Sequence, residues 1–286
     1  MNIGIIGLGL IGGSIGRALI KKTIHTVYGY DISNETMLKA SFMSVIHAPL
    51  TDSDYALIDI LIIALTPDAF IKVANESLHK LKKGAIIMDI AGNKKKIIEA
   101  MRQMSITHSE LNFIGSHPMA GREFSGINHS SASLFEKASI LLVPVSQDIS
   151  KISLLKQLLL AIGFADVKIT SEDVHDKTIA YTSQLAHIIS SSYIKSPTAR
   201  SHDGFSAGSF KDMSRVARLN PSMWTELLSD NSKNLISELD CFINNLNKYR
   251  DALSTENRAL LYSLLEEGSC IKEHIDKCSR EYKRNL

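Results

Sequence analysis

Cysteine is scarce in this 286-residue chain: Cys241, Cys270 and Cys278 all fall in the last fifth, with no CxxC spacing. That argues against a disulfide framework or a thiolate zinc site and leaves ordinary thiols in a reducing cytoplasm as the expectation. No metal is expected. Charge of one sign is lacking too. Against 32 basic side chains stand 30 acidic ones, for a net charge of +2, and no basic run is long enough to form the footprint of a nucleic-acid binder. A small-molecule partner is expected instead. The first sixteen residues carry no charged side chain, include six glycines and lack a basic leader, so neither a secretory signal nor a membrane span is expected. Low-complexity sequence is also in short supply, and the 44% hydrophobic content fits a globular protein of two domains.

What is present is alternation. Up to residue 170, short β-rich runs ("NIGIIG", "TVYGYD", "LIDILIIAL", "GAIIMDI", "NFIGS", "SILLVP") are separated by helical patterns, which predicts a mostly parallel sheet with helices on both faces. The runs at 57–65 and 84–90 are almost continuously apolar, as in strands covered on both sides. From Ser171 onward the pattern is helical, and Ser171 itself fits the N-cap of a helix beginning "EDVHDK". The fold class is therefore α/β, with a dinucleotide-binding domain over 1–170 and an all-helical domain over 171–286. Leucine- and isoleucine-rich helices in the second domain suit a homodimer interface.

Gly7, Gly9 and Gly12 in "GLGLIG" fit GxGxxG, placed after a strand and before a helix that carries Ile15, Ala18 and Leu19 on one face. The glycines allow a tight turn and close approach of a pyrophosphate to free N–H groups at the helix start, a Rossmann-type cradle completed by Leu10 and Ile11. Asp31 ends the second strand, nineteen residues beyond Gly12. Its carboxylate can bind both ribose hydroxyls and repels a 2′-phosphate, so NAD is expected over NADP. "NFIGS" delivers His117 to the carboxyl edge of the sheet, where ligands of open α/β sheets bind, inside a loop shaped by proline and glycine, "SHPMAGREFSG".

With these residues in place the chain resembles the prephenate dehydrogenase family over nearly its whole length. The landmarks are "GLGLIGGS" at 7–14, "SHPMAG" at 116–121, "TSQLAH" at 182–187 and "GSFKDMSRVARLNPSMW" at 208–224. The resemblance implies oxidative decarboxylation of prephenate to 4-hydroxyphenylpyruvate with NAD. It also implies that His117 is the catalytic histidine at the ring hydroxyl, His187 a second active-site histidine and Arg215 the arginine for a substrate carboxylate. Asp212 and Glu123 become acids of the substrate site. Three positions depart from the family pattern. Arg122 follows the "HPMAG" loop where other members differ, a candidate further positive charge for a dianionic substrate. Gly92 in "DIAGNK" stands where a serine is frequent, its hydrogen bond being absent or supplied by Asn93 or Lys94; Ala186 stands where proline is frequent.

Three other readings compete. Arogenate dehydrogenase runs the same reaction on the amino analogue. A 3-hydroxyacid dehydrogenase would resemble its group in a Lys-x-x-x-Asn pair, but Lys177 is followed by Tyr181. A non-catalytic NAD-sensing regulator would keep the cradle and lose the chemistry; Gly92 is its one support. The cofactor reading is testable at one residue: Asp31→Ser should lower kcat/KM with NAD+ relative to NADP+, and an unchanged ratio of the two removes Asp31 from the ribose site.

Overall fold

The computed structural model describes residues 1–122, 124–202 and 204–284, with side chains as far as residue 278. β1 (Asn2–Ile6) turns through the glycines into α1 (Leu10–Lys22), followed by β2 (Thr26–Tyr30), α2 (Asn34–Phe42) and the two-residue β3 (Ala48–Pro49). The alternation continues with β4 (Ile60–Ile63), α3 (Pro67–Ser77), β5 (Ile86–Asp89), α4 (Lys95–Thr107) and β6 (Asn112–Pro118). β7 (Ser139–Pro144), α5 (Ile149–Ala161) and β8 (Asp166–Ile169) complete the sheet. Among the described residues the order is β3-β2-β1-β4-β5-β6-β7-β8, parallel throughout except between β6 and β7. The expected α/β class is what the chain adopts. Short β3, with one proline and little apolar sequence, carries no periodicity by which it could be foreseen.

Continuous apolar strands bury both faces. In β4, Ile60 and Ile62 join a core shared with α1, α2 and α5, while Leu61 and Ile63 join a second core under α3 and α4. Ile15, Ala18 and Leu19 of α1 are all at most 1% exposed, each large side chain contributing about 1.5–3 kcal/mol by leaving water. Close packing of α1 on β1 needs glycine at specific points. Gly7 has φ +89°, and a Cβ on Gly12 would lie 1.9 Å from the Gly7 carbonyl oxygen.

Beyond β8, Ser171 caps α6 (Glu172–Ile179), its hydroxyl accepting the Val174 N–H at 3.3 Å. A π-helical turn, Ala180–Leu185, then leads into α7 (Ala186–Tyr193). α8 (Gly208–Ser214) and α9 (Pro221–Asp230) follow. These helices belong to one compact unit with the sheet, Met1–Asn231, because buried polar contacts tie them to the β5–α4 junction. α10 (Ser232–Ser254) and α11 (Arg258–Arg284) form a second unit, Ser232–Leu286. Within it the two helices pack on each other, and the Tyr249 hydroxyl donates to the Leu264 carbonyl at 3.1 Å. Among the described residues no helix is long and apolar enough to cross a membrane.

The glycine geometry separates two substitutions. Gly12→Ala should lower the ligand-free Tm by roughly 3–10 °C. Gly9→Ala, whose Cβ meets no heavy atom within 4 Å, should leave it unchanged; equal Tm values for both variants contradict the packing account.

Candidate functional site

Parallel strands β1, β2, β4, β5 and β6 present their carboxyl ends along one edge, where the glycine turn, Asp31 and His117 lie. Gly9 is the N-cap of α1 with no side-chain cap, so first-turn N–H groups of Leu10 and Ile11 stay open to an anion. The space where a Cβ of Gly9 would sit is vacant, as close approach of a phosphate demands. Asp31 is pinned beside this turn, Oδ2 accepting from Leu8 N–H and Oδ1 from Ser33 N–H, each at 2.9 Å. Each carboxylate oxygen retains a lone pair for a further donor. These residues fit a dinucleotide.

At the other end of the edge, β6 carries Ser116 and His117. Ser116 N–H donates to Asp89 Oδ1 at 2.8 Å, and its hydroxyl donates to the Asp89 carbonyl. Asp89 Oδ2 pairs with the Lys94 ammonium, both side chains being fully buried. Burial pushes the Asp89 carboxyl up and the Lys94 ammonium down, each opposed by the other's charge. Strand alternation sends the next side chain, His117, to the opposite face, where its Nδ1 lies 2.9 Å from Nε2 of His175 on α6. His175 Nδ1 lies in turn 2.7 Å from Asp176 Oδ1. Asp176 Oδ1 and Oδ2 also accept N–H groups from Lys94 and Lys95, at 2.8 and 2.9 Å, at the start of α4.

The line of three groups constrains where the protons sit. Burial alone would raise the Asp176 carboxyl, but His175 and the N–H groups of Lys95 and Lys94 outweigh it and hold it below its ordinary 3.8. As an ionised acceptor it requires the hydrogen of His175 on Nδ1. The tautomer in which Nε2 of His175 accepts the Nδ1–H of His117 leaves the lone pair of His117 on Nε2. Burial, then the neighbouring His175, then Lys94 press the His117 imidazolium well below 6.5, so the ring is neutral and ready to accept.

His187 sits on α7 just past the π-turn, and the Ser183 carbonyl accepts its Nδ1–H at 2.8 Å, so Nε2 lies outside that bond. The ring lies against Trp224 of α9, centroids 4.2 Å apart. Asp212 near the end of α8 and Arg215 just after it are both exposed. Arg122 is exposed on the loop after β6, Nη1 reaching the His129 carbonyl at 3.4 Å, and Glu123 lies outside the described residues. That loop folds back onto α1 through Arg17 Nε to Ser130 Oγ and Ser131 N–H to Ser14 Oγ. Asn93, 2% exposed, donates its amide to the Leu227 carbonyl and accepts from Gln184, and the Lys94 ammonium pairs with Asp89.

Sequence reasoning passed over His175 and Asp176, which drew notice only as part of the "EDVHDK" helix start. An adjacent His-Asp pair in the first turns of a helix that follows the last strand was the available signal. Lys94 and Asp89 were equally inconspicuous, since burial of a charge pair has no sequence pattern.

The pKa displacements predict a pH dependence of stability. Below 6.5 an unfolded histidine takes a proton that folded His117 refuses, so this contribution is complete above that pH and is lost as pH falls through it. Tm should decline between about pH 6.5 and 5, and His117→Asn should flatten the decline. Asp176 acts in a separate window, its contribution present above 3.8 and lost only below. An identical slope in wild type and variant would overturn the His117 assignment.

Two family models cover most of the chain: the nucleotide-binding domain of prephenate dehydrogenase over residues 15–168 and its dimerization domain over 171–267. Prephenate dehydrogenase of Bacillus subtilis is 30% identical over 267 residues, 90% of this chain and 71% of that protein. Cyclohexadienyl dehydrogenase of Zymomonas mobilis is 30% identical over 281 residues, 93% of each. Among solved structures, prephenate dehydrogenase from A. aeolicus, in complex with hydroxyphenyl propionate and NAD+, shares the fold with a TM-score of 0.84 at 24% identity, covering 96% of this chain and 98% of that one. By its two matched domains and these relatives, the chain belongs to the prephenate dehydrogenase family.

Proposed function

We propose that this protein is an NAD-dependent prephenate dehydrogenase, converting prephenate to 4-hydroxyphenylpyruvate and carbon dioxide in tyrosine biosynthesis. The observation that carries the site assignment is the Asp176–His175–His117 line, ending in a neutral imidazole on the sheet edge that also holds the glycine cradle. Gly7, Gly9, Leu10, Ile11 and Gly12 hold the pyrophosphate, and Asp31 the ribose. When bound, NAD+ supplies the nicotinamide that accepts hydride from the carbinol carbon.

His117 Nε2 takes the ring-hydroxyl proton as the carbon–oxygen double bond forms. The ring carboxylate then leaves as carbon dioxide, and the electron pair of the broken C–C bond aromatises the ring. The resulting phenolate oxygen recovers the proton from His117. A depressed imidazole pKa suits this loan, because the imidazolium that forms is a strong enough acid to return the proton. Arg215 offers a planar fork to a substrate carboxylate, with Asp212, Glu123 and Arg122 around it and His187 Nε2 as a further polar contact. We also infer a cytoplasmic homodimer formed through the helical segment; the dimerization-domain match and the exposed Ile236, Ile243 and Leu246 of α10 support it.

Initial rates of NADH formation test the reading, with prephenate, arogenate and NADP+ compared side by side. Fast turnover of prephenate with NAD+ is expected. Activity on arogenate alone changes the substrate, and NAD binding without turnover of either returns the regulator reading. His117→Asn should reduce kcat by about two to four decades, and wild-type kcat in that variant removes its role as base.

A further inference from the structure

Gly92 lies in the β5–α4 loop, and Leu227 of α9 sits directly over it. A Cβ at Gly92 would come within 3.1 Å of Leu227 Cδ2 and 3.6 Å of Cδ1, although the backbone there is outside the left-handed region. The absent side chain is therefore a matter of space, not of φ. Around this contact α9 is fastened by its own backbone. The Leu227 carbonyl accepts Asn93 Nδ2–H at 2.6 Å and Gln184 Nε2–H at 3.3 Å, and Asn93 and Gln184 bond each other at 2.9 Å. Asn93 and Gln184 are each 2% exposed. Glu226 accepts the Asp68 N–H at the start of α3, and Asp230 meets Lys96 of α4.

Trp224 stands one helical turn before Leu227, so the depth to which α9 settles on Gly92 also sets where the indole meets His187. Gln184 stands in the same relation to His187, three residues before it, and shares the Leu227 carbonyl. One contact thus governs both partners of the 4.2 Å His187–Trp224 pair. We infer that Gly92 and Leu227 form a matched seat for α9 that positions Trp224 against His187, making Gly92 a determinant of substrate affinity rather than a participant in proton or hydride movement. The link to affinity rests on the assignment of His187 to the substrate site; the seat itself does not.

Trp224 is the chain's single tryptophan, so its fluorescence reports the seat without reference to any substrate. Gly92→Ala should change Trp224 emission and raise its access to a soluble quencher. It should also raise KM for prephenate by about five- to tenfold while kcat stays within about threefold, since a few tenths of an ångström at a contact group weakens binding without removing the base. Adding Leu227→Ala makes room for the new methyl group, and the double variant should return emission and KM to within about twofold of wild type. Unchanged emission in Gly92→Ala overturns the seat whatever the substrate proves to be. Altered emission with unchanged KM for the substrate that is turned over overturns the affinity role alone. If Gly92→Ala does not fold, Leu227→Ala by itself keeps the backbone bonds and should loosen the indole; unaltered emission there also overturns the inference.

Discussion

The contact on which the site depends is the docking of the Asp176 carboxylate onto the first N–H groups of α4. Those groups have no intrahelical partner, and Lys94 and Lys95 donate both of theirs to one side chain. Charge-assisted bonds of this kind are worth about 1.5–3 kcal/mol each, and the positive end of the helix adds to them. The same carboxylate orders His175, and through it the tautomer of His117. An Asn231 amide closes the arrangement from α9's far end by donating to the Asp176 carbonyl at 2.8 Å and to Gln184 at 2.8 Å. Fold and proton placement therefore share one anchor: whatever weakens the hold of α6 on α4 also releases the histidine pair.

The buried Lys94–Asp89 pair acts differently. Taking two charges out of water costs about as much as their attraction returns, so such a pair is weak evidence of stability. Its geometric consequence is firmer. Asp89 accepts from Ser116 N–H and Ala91 N–H as well as from Lys94, which leaves it one set of partners and one orientation. Ser116 is thereby fixed in depth on β6, and His117, next along the strand, inherits that position. The positive charge of Lys94 close to His117 also disfavours a second cation there. A loan of a proton, not its storage, is what such surroundings permit.

Much of this was legible in the sequence. The apolar runs, the GxGxxG turn and the place of Asp31 beside it are legible because each rests on a local rule: strand burial, a helix start built on glycine, a carboxylate at a strand end. The Ser171 cap is of the same kind, a hydroxyl followed by acidic residues. His117 was legible by its position at the end of "NFIGS". Its partners were not, because His175 comes fifty-eight residues later and reaches it only after α6 has docked. The π-turn at 180–185 and the two-residue β3 are equally hidden; the first carries Gln184, bonded to distant Asn93 and Asn231, and the second is an edge pairing too short to show a period.

Gly92 is where local and tertiary reasoning meet. Taken by itself, the missing hydroxyl weakened the catalytic reading and lent support to a protein that senses NAD without turning over a substrate. The surroundings give it another cause. Asn93 and Lys94 bond to Leu227, Gln184 and Asp89, and a side chain at 92 would press on Leu227, whose Cδ2 lies 3.1 Å from where its Cβ would be. A chain that had lost its chemistry would have no reason to keep two histidines and a carboxylate in hydrogen-bonded line, since a buried imidazole costs stability whenever the pH falls. The line is kept, and its terminal imidazole is held neutral. On the reading proposed above, the substrate hydroxyl answers to His117, with Asp176 and His175 orienting its ring.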